Sequence, residues 1–257
     1  MIEAPFDLAV DQISIRGRFF SDSGSRPRPA VIILHGIPRD KTFDRDESYP
    51  QLARRLAQSG WLAILFNFRG TGESSGNFHL RGWDHDLTAV VEWAGKNLPL
   101  DPARVAVLGF SGGAATAIYN AAHNQRIRAV VAVSSPAEFN FIAPDLKGWI
   151  GRFREIGLFR DPGFPASISE WENEFKEMSP IHWVDQVSPR PILLIHGRAD
   201  DVVPLDHARR LFEKAKDPKE LSILEGGHRL KHSPPALEAA ISWLESFKAS
   251  KLEKIKP

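Results

Sequence analysis

The sequence contains no cysteine, so disulfides, thiolate metal sites and a cysteine nucleophile are excluded. It also lacks a charge imbalance. Lys and Arg total 33 against 32 Asp and Glu, a formal net charge of +1. That leaves no electrostatic footprint for a nucleic acid, and no nucleic-acid partner is expected. No apolar run approaches the roughly 20 residues that span a bilayer; residues 61–66 are among the longest. No membrane partner is expected either. The first residues, Met1-Ile2-Glu3-Ala4-Pro5-Phe6-Asp7, put acids and a proline where a secretory signal needs basic and then apolar residues. A cytoplasmic protein is the expectation. What is present is ordinary globular material: 257 residues, 42% hydrophobic and 25% charged, enough to bury a large core without covalent staples.

Short apolar runs at residues 31–34, 61–66, 105–108, 129–133 and 192–195 read as strands buried on both faces, as in a parallel sheet covered by helices. Between them, residues 49–59, 83–97, 112–123 and 205–215 have helical periodicity; Leu87, Val90, Val91 and Ala94 share one face. Residues 8–10 and 13–20 alternate and predict an antiparallel start. Residues 221–224 predict a last strand and 237–247 a closing helix. This alternation predicts an α/β fold with a mostly parallel sheet.

Residues 135–186 interrupt the rhythm. Trp149, Ile150, Phe153 and Ile156 share one helical face, and Trp171, Phe175 and Met178 another, with Pro162 and Pro165 between them. The expectation is a helical cap at about residues 136–186 in one domain spanning 1–257, its aromatics mainly packing. Between residues 136 and 185 the chain carries nine Asp/Glu and five Lys/Arg, which argues against a cationic lid for anionic substrates. The lysine-rich tail, residues 248–257, reads as a fraying helix end.

Two segments match Gly-x-Ser-x-Gly: Gly72-Glu73-Ser74-Ser75-Gly76 and Gly109-Phe110-Ser111-Gly112-Gly113. A serine nucleophile needs a sharp turn from a strand into a helix, with small neighbours to relieve the crowding. Ser111 lies between a predicted strand and a predicted helix. Ser74 lies in a loop rich in glycine and reads as a turn residue. The serine needs a base, and the base an orienting acid. Of nine histidines, only His228 and His232 follow the last predicted strand. His228 follows Gly226-Gly227, while His232 reads as a surface residue. Asp200 and Asp201 follow the strand at 192–195; either could close a turn or supply the acid.

Taken in order, Leu34-His35-Gly36, Asn67-Phe68-Arg69-Gly70-Thr71-Gly72-Glu73-Ser74, Gly109 to Gly113, His196-Gly197-x-x-Asp200-x-x-Val203-Pro204 and Gly227-His228 resemble the serine hydrolases of the α/β-hydrolase superfamily. The style is that of bacterial esterases and of prolyl-oligopeptidase-like catalytic domains. The resemblance implies an α/β-hydrolase fold, with a mostly parallel sheet of the eight-stranded type flanked by helices. It also implies Ser111 as nucleophile, Asp200 as acid, His228 as base, and the Ile37 and Gly112 N–H groups as oxyanion donors. His35 becomes a loop-fixing residue. The His-Gly-Gly-Gly signature of one lipase group is absent, and serine stands where related dehalogenases have aspartate and dienelactone hydrolases cysteine. The implied activity is hydrolysis of a small-molecule carboxylic ester through an acyl-enzyme, with no cofactor and no metal. Amide or peptide hydrolysis by the same residues is the enzymatic alternative, and a non-catalytic ligand-binding relative the other.

Overall fold

The computed structural model describes residues 1–22, 24, 26–41, 46–140 and 145–250; the end of the lysine-rich tail lies outside them. Strands β1 (Ile2–Val10), β2 (Ile13–Ser21), β3 (Arg28–Leu34), β4 (Leu62–Phe66), β5 (Leu100–Phe110), β6 (Ala129–Val133), β7 (Ile192–Gly197) and β8 (Lys219–Leu224) form one sheet. The order is β1-β2-β4-β3-β5-β6-β7-β8. The first two strands are antiparallel to each other and β2 is antiparallel to β4, while β4 through β8 run parallel. A mostly parallel sheet with an antiparallel start is what the apolar runs predict, and eight strands are what the resemblance implies.

The buried stretches of the central strands, such as residues 30–34, 105–108 and 129–133, are unbroken apolar runs because each face meets helices. In β3, Ile32 and Leu34 face one core, Val31 and Ile33 the other. In β5, Val105 and Val107 alternate in the same way with Ala106 and Leu108. Each such buried Leu, Ile or Val contributes about 1.5–3 kcal/mol. Helices α1 (Ser48–Gln58) and α7 (Pro234–Ala249) cover one face through Leu52, Leu56, Ile241 and Leu244. On the other face lie α2 (Leu80–Asn97), α3 (Gly112–His123) and α6 (Leu205–Lys214), through Trp83, Leu87, Ile118 and Leu211.

Among the described residues, no strand occurs between β6 and β7. Two helices, α4 (Leu146–Glu155) and α5 (Ile168–Glu177), lie there instead. Asp145 caps α4 by accepting the Gly148 N–H, and Ser167 caps α5 by accepting the Glu170 N–H. Their buried faces, Ile150, Phe153, Trp171 and Phe175, join the core that contains α2 and α3. Phe78 meets the Phe153 ring edge-on at 5.1 Å. Arg160 ties the segment to the loop after β4 by donating to the carbonyls of Ser74 (2.6 Å) and Gly72 (2.9 Å). No helix among the described residues is long and apolar enough to cross a membrane.

Candidate active site

The parallel strands end at one edge, and Ser111, Asp200 and His228 stand on the loops there. Ser111 sits between β5 and α3 with φ 52° and ψ −120°, a left-handed conformation that costs a non-glycine residue about 1–3 kcal/mol. Its N–H donates to the Val133 carbonyl at 2.8 Å, which ties the turn to β6. The flanking glycines leave no space for a side chain. A Cβ on Gly113 would lie 2.3 Å from the His35 carbonyl oxygen, and one on Gly109 would lie 2.5 Å from that of Gly113.

Asp200 follows β7 and is buried. Its Oδ1 accepts the N–H groups of Val202 (3.0 Å) and Val203 (2.8 Å), and Oδ2 faces His228 Nδ1 at 2.9 Å. Burial pushes the carboxyl pKa up, but the hydrogen bonds from His228, Val203 and Val202 outweigh it and hold the group below its ordinary value. Asp201 is exposed. His228 follows β8, where Gly226 has φ +137° and a Cβ on Gly197 would strike the Gly226 carbonyl oxygen at 2.5 Å. Close contact between the β7 and β8 loops thus brings His228 over Asp200. Its Nε2 lies 3.0 Å from Ser111 Oγ. With Nδ1–H donating to the carboxylate, Nε2 presents its lone pair to the serine hydroxyl. His232 is exposed at the edge of the same cavity.

The loop after β3 completes the arrangement. A Cβ on Gly112 would lie 3.5 Å from the Ile37 nitrogen, so the Ile37 backbone runs close beside the start of α3. Among the described residues, neither N–H donates to a backbone carbonyl in the surrounding turns and loops. His35 braces this loop. Its Nδ1–H donates to the Gly36 carbonyl at 2.8 Å, and its Nε2 accepts the Phe68 N–H at 3.2 Å. Burial brings its pKa down from 6.5 to about 4, against the Gly36 hydrogen bond and with help from the Lys231 charge.

This shift has a sign that can be tested. Above pH 6.5 His35 is neutral both folded and unfolded, and folding carries no proton penalty. Between pH 6.5 and about 4 the unfolded chain takes up a proton that the native state refuses. Stability therefore falls with pH by about 1.4 kcal/mol per unit, roughly 3 kcal/mol in all. Urea unfolding of the parent and of His35→Gln, at pH 7 and near pH 4.5, is expected to show the gap between them narrowing by about 2–3 kcal/mol in acid. A pH-independent gap would refute the assignment.

A cavity of about 650 Å³ opens beside Ser111. Its wall is apolar, with Phe110, Val133, Phe139, Trp149 and Phe153, and Arg39, Arg229 and Lys231 also line it. Tyr49, Ser134 and these basic residues carry no sequence motif and are found only through the fold. Lys231 pairs with Asp46 and lies 4.8 Å from the centre of the Tyr49 ring. Ser134, like Ser111, has a positive φ, at 51°, and its buried hydroxyl has no hydrogen-bond partner among the described residues. Ser74, in the other Gly-x-Ser-x-Gly segment, is buried in the loop after β4; it donates to the Asn67 carbonyl at 2.5 Å and accepts the Arg16 N–H at 2.9 Å. Among the described residues, no group of three or more His, Asp or Glu is placed to hold a metal ion.

The family model of the prolyl oligopeptidase family matches residues 48–247. The chain belongs to the prolyl oligopeptidase family. This family member is 28% identical over 221 residues to the uncharacterized protein Rv2307c of Mycobacterium tuberculosis H37Rv, covering 85% of this chain and 69% of that one. It is 27% identical over 241 residues to the esterase YjfP of Escherichia coli K12, covering 84% and 88% respectively. Among solved structures it matches the α/β hydrolase GrgF from Penicillium sp. sh18 with a TM-score of 0.75 at 21% identity, over 97% of this chain and all of that one. The prolyl oligopeptidase family chain thus has the α/β-hydrolase fold and is a hydrolase.

Proposed function

We propose that this hydrolase cleaves carboxylic esters through an acyl-enzyme on Ser111. The observation that carries the reading is the continuous line of contacts from Ser111 Oγ to His228 Nε2 (3.0 Å) and from His228 Nδ1 to Asp200 Oδ2 (2.9 Å). Ser111 Oγ attacks the ester carbonyl carbon as His228 takes its proton. The carbonyl oxygen, now negative, is held by the Ile37 and Gly112 N–H groups, each contributing about 3 kcal/mol to the barrier reduction. The C–O bond to the alcohol breaks, and the alcohol leaves with the proton from His228. Water then repeats the sequence on the acyl-enzyme and frees the acid. Asp200 keeps the proton on His228 Nδ1 and stabilises the imidazolium. The esterase YjfP, similar over most of both chains, supports esters as the substrate class.

Family membership also supports a second reading, hydrolysis of aminoacyl amides by the same residues. Short-acyl 4-nitrophenyl esters and matched aminoacyl 4-nitroanilides separate the two, with faster cleavage of esters expected. A fluorophosphonate is expected to label Ser111 alone and to stop ester hydrolysis. Full ester turnover after stoichiometric labelling, or labelling elsewhere, counts against the proposal.

A further inference from the structure

The charged groups along the cavity fall into two sets. Asp46 is occupied by Lys231 and by the Ser48 N–H (2.9 Å) and hydroxyl (2.6 Å). Arg152, from the cap helix α4, is shared between Glu155 (3.1 Å) and the Arg39 carbonyl (2.7 Å). Arg39 and Arg229 differ. Both line the cavity, both are exposed, and neither guanidinium has an ion-pair partner among the described residues. Asp40, beside Arg39, is the remaining acidic side chain on the lining.

Their places in the chain matter. Arg39 lies two residues beyond Ile37, and Arg229 directly follows His228. Two unpaired cations therefore stand on the loops that carry the proposed oxyanion donor and the proposed base. The deeper wall, with Phe110, Val133, Phe139 and Phe153, offers hydrocarbon contact and no charge. None of the nine acidic residues between 136 and 185 lines the cavity, so none of them is a direct contact for a bound group there.

The geometry points to a substrate class. The site takes esters that carry a carboxylate a few atoms from the scissile carbonyl, with that carboxylate between Arg39 and Arg229 and the hydrocarbon against the apolar wall. This rests on the ester reading above and narrows it. Arginine suits the task because its planar fork meets a carboxylate with two N–H groups and stays charged at any working pH. Both groups are exposed, so water and salt screen the attraction, and a preference of about tenfold at low ionic strength is the expected size.

The experiment compares 4-nitrophenyl pentanoate with mono(4-nitrophenyl) glutarate, which places a carboxylate on the acyl half. It also compares butyl acetate with 4-acetoxybutyrate, which places one on the alcohol half. In at least one pair, the anionic ester is expected to have kcat/KM about tenfold higher at low salt, with the ratio shrinking as NaCl is added. The double variant Arg39→Gln/Arg229→Gln is expected to lower that ratio about tenfold, and Arg39→Lys/Arg229→Lys to restore part of it. Anionic-to-neutral ratios at or below one in both pairs, or ratios insensitive to the double variant, overturn the inference while leaving the ester reading intact. If no ester is cleaved, the ester reading fails. Ligand-observed NMR of Ser111→Ala protein with monomethyl glutarate and methyl pentanoate then decides the charge question: weaker binding of the anion, or equal binding by the Arg39→Gln/Arg229→Gln protein, rejects it.

Discussion

Replacing Ser111 with alanine is expected to lower ester turnover at least about 10⁴-fold while leaving the protein folded. The substitution removes one oxygen and nothing that holds the turn. The Ser111 N–H still donates to the Val133 carbonyl, and its own carbonyl still accepts the N–H groups of Ala114 and Ala115. Alanine meets the same left-handed φ of 52° that serine does, so the strain is unchanged. The lost side-chain contact, 3.0 Å to His228 Nε2, is partly exposed, and its removal is expected to cost no more than about 1 kcal/mol. Activity collapses because His228 then has no hydroxyl to deprotonate; what remains is carbonyl polarisation by the Ile37 and Gly112 amides. Ser74→Ala is the control with the opposite signature. It breaks two hydrogen bonds of a fully buried hydroxyl, so thermal stability falls while turnover persists. An alanine at 111 that turns over within tenfold of the parent would remove the basis of the proposed mechanism.

The contrast between these serines shows what the sequence makes legible. Both lie in Gly-x-Ser-x-Gly, and only the elements around them differ: an eleven-residue strand and a twelve-residue helix at Ser111, a loop at Ser74. The strands are legible because a sheet covered on both faces demands unbroken apolar runs, and β6 falls on residues 129–133 as predicted. Element starts are less legible where an unusual residue does the work. Helix α2 begins at Leu80, three residues before the expected start, because His79 caps it by accepting the Gly82 N–H at 3.1 Å. Helix α7 begins at Pro234 rather than at 237, since a first turn tolerates the prolines that would break its middle. The hairpin between β1 and β2 turns on Asp11 and Gln12, both at positive φ, without the glycine that usually marks such a turn.

At the site, strand and turn put Asp200, Asp201 and His228 just beyond strand ends, and the choice of Asp200 comes from the resemblance; the structure buries Asp200 beside His228 and leaves Asp201 exposed. The mouth follows another logic. Arg39, Arg229 and Lys231 come from different loops, and no local pattern announces that these loops converge. Charge counted along residues 136–185 does not give the charge on the lining, because none of those carboxylates lines the cavity. Arg152 is that segment's charged contribution to the lining, and it is tied to the loop that carries Arg39.

Asp200→Asn is expected to lower kcat by about 10⁴-fold with little change in shape, by analogy with the same change in other serine hydrolases. The direction follows from the donors around the carboxylate. Val202 and Val203 donate to Oδ1, so the asparagine carbonyl oxygen must remain there. The amide nitrogen then occupies the position of Oδ2, 2.9 Å from His228 Nδ1. An NH₂ group only donates, so Nδ1 must accept, and the imidazole proton moves to Nε2. A protonated Nε2 facing Ser111 Oγ cannot take the serine proton, and labelling by fluorophosphonate is expected to slow in parallel with kcat. Stability should also fall modestly at neutral pH. A carboxylate whose folded pKa lies below 3.8 contributes stability that is fully present above that value and lost as pH falls through the folded one. The variant, lacking the charge, is expected to lose less of its stability on acidification than the parent. Asp201→Asn is the decisive comparison, because Asp201 is exposed and differs from Asp200 by one position in the turn. A larger loss of kcat at 201 than at 200 would reverse the assignment of the acid; a loss confined to 200 leaves the proton on Nδ1 as the feature on which the chemistry turns.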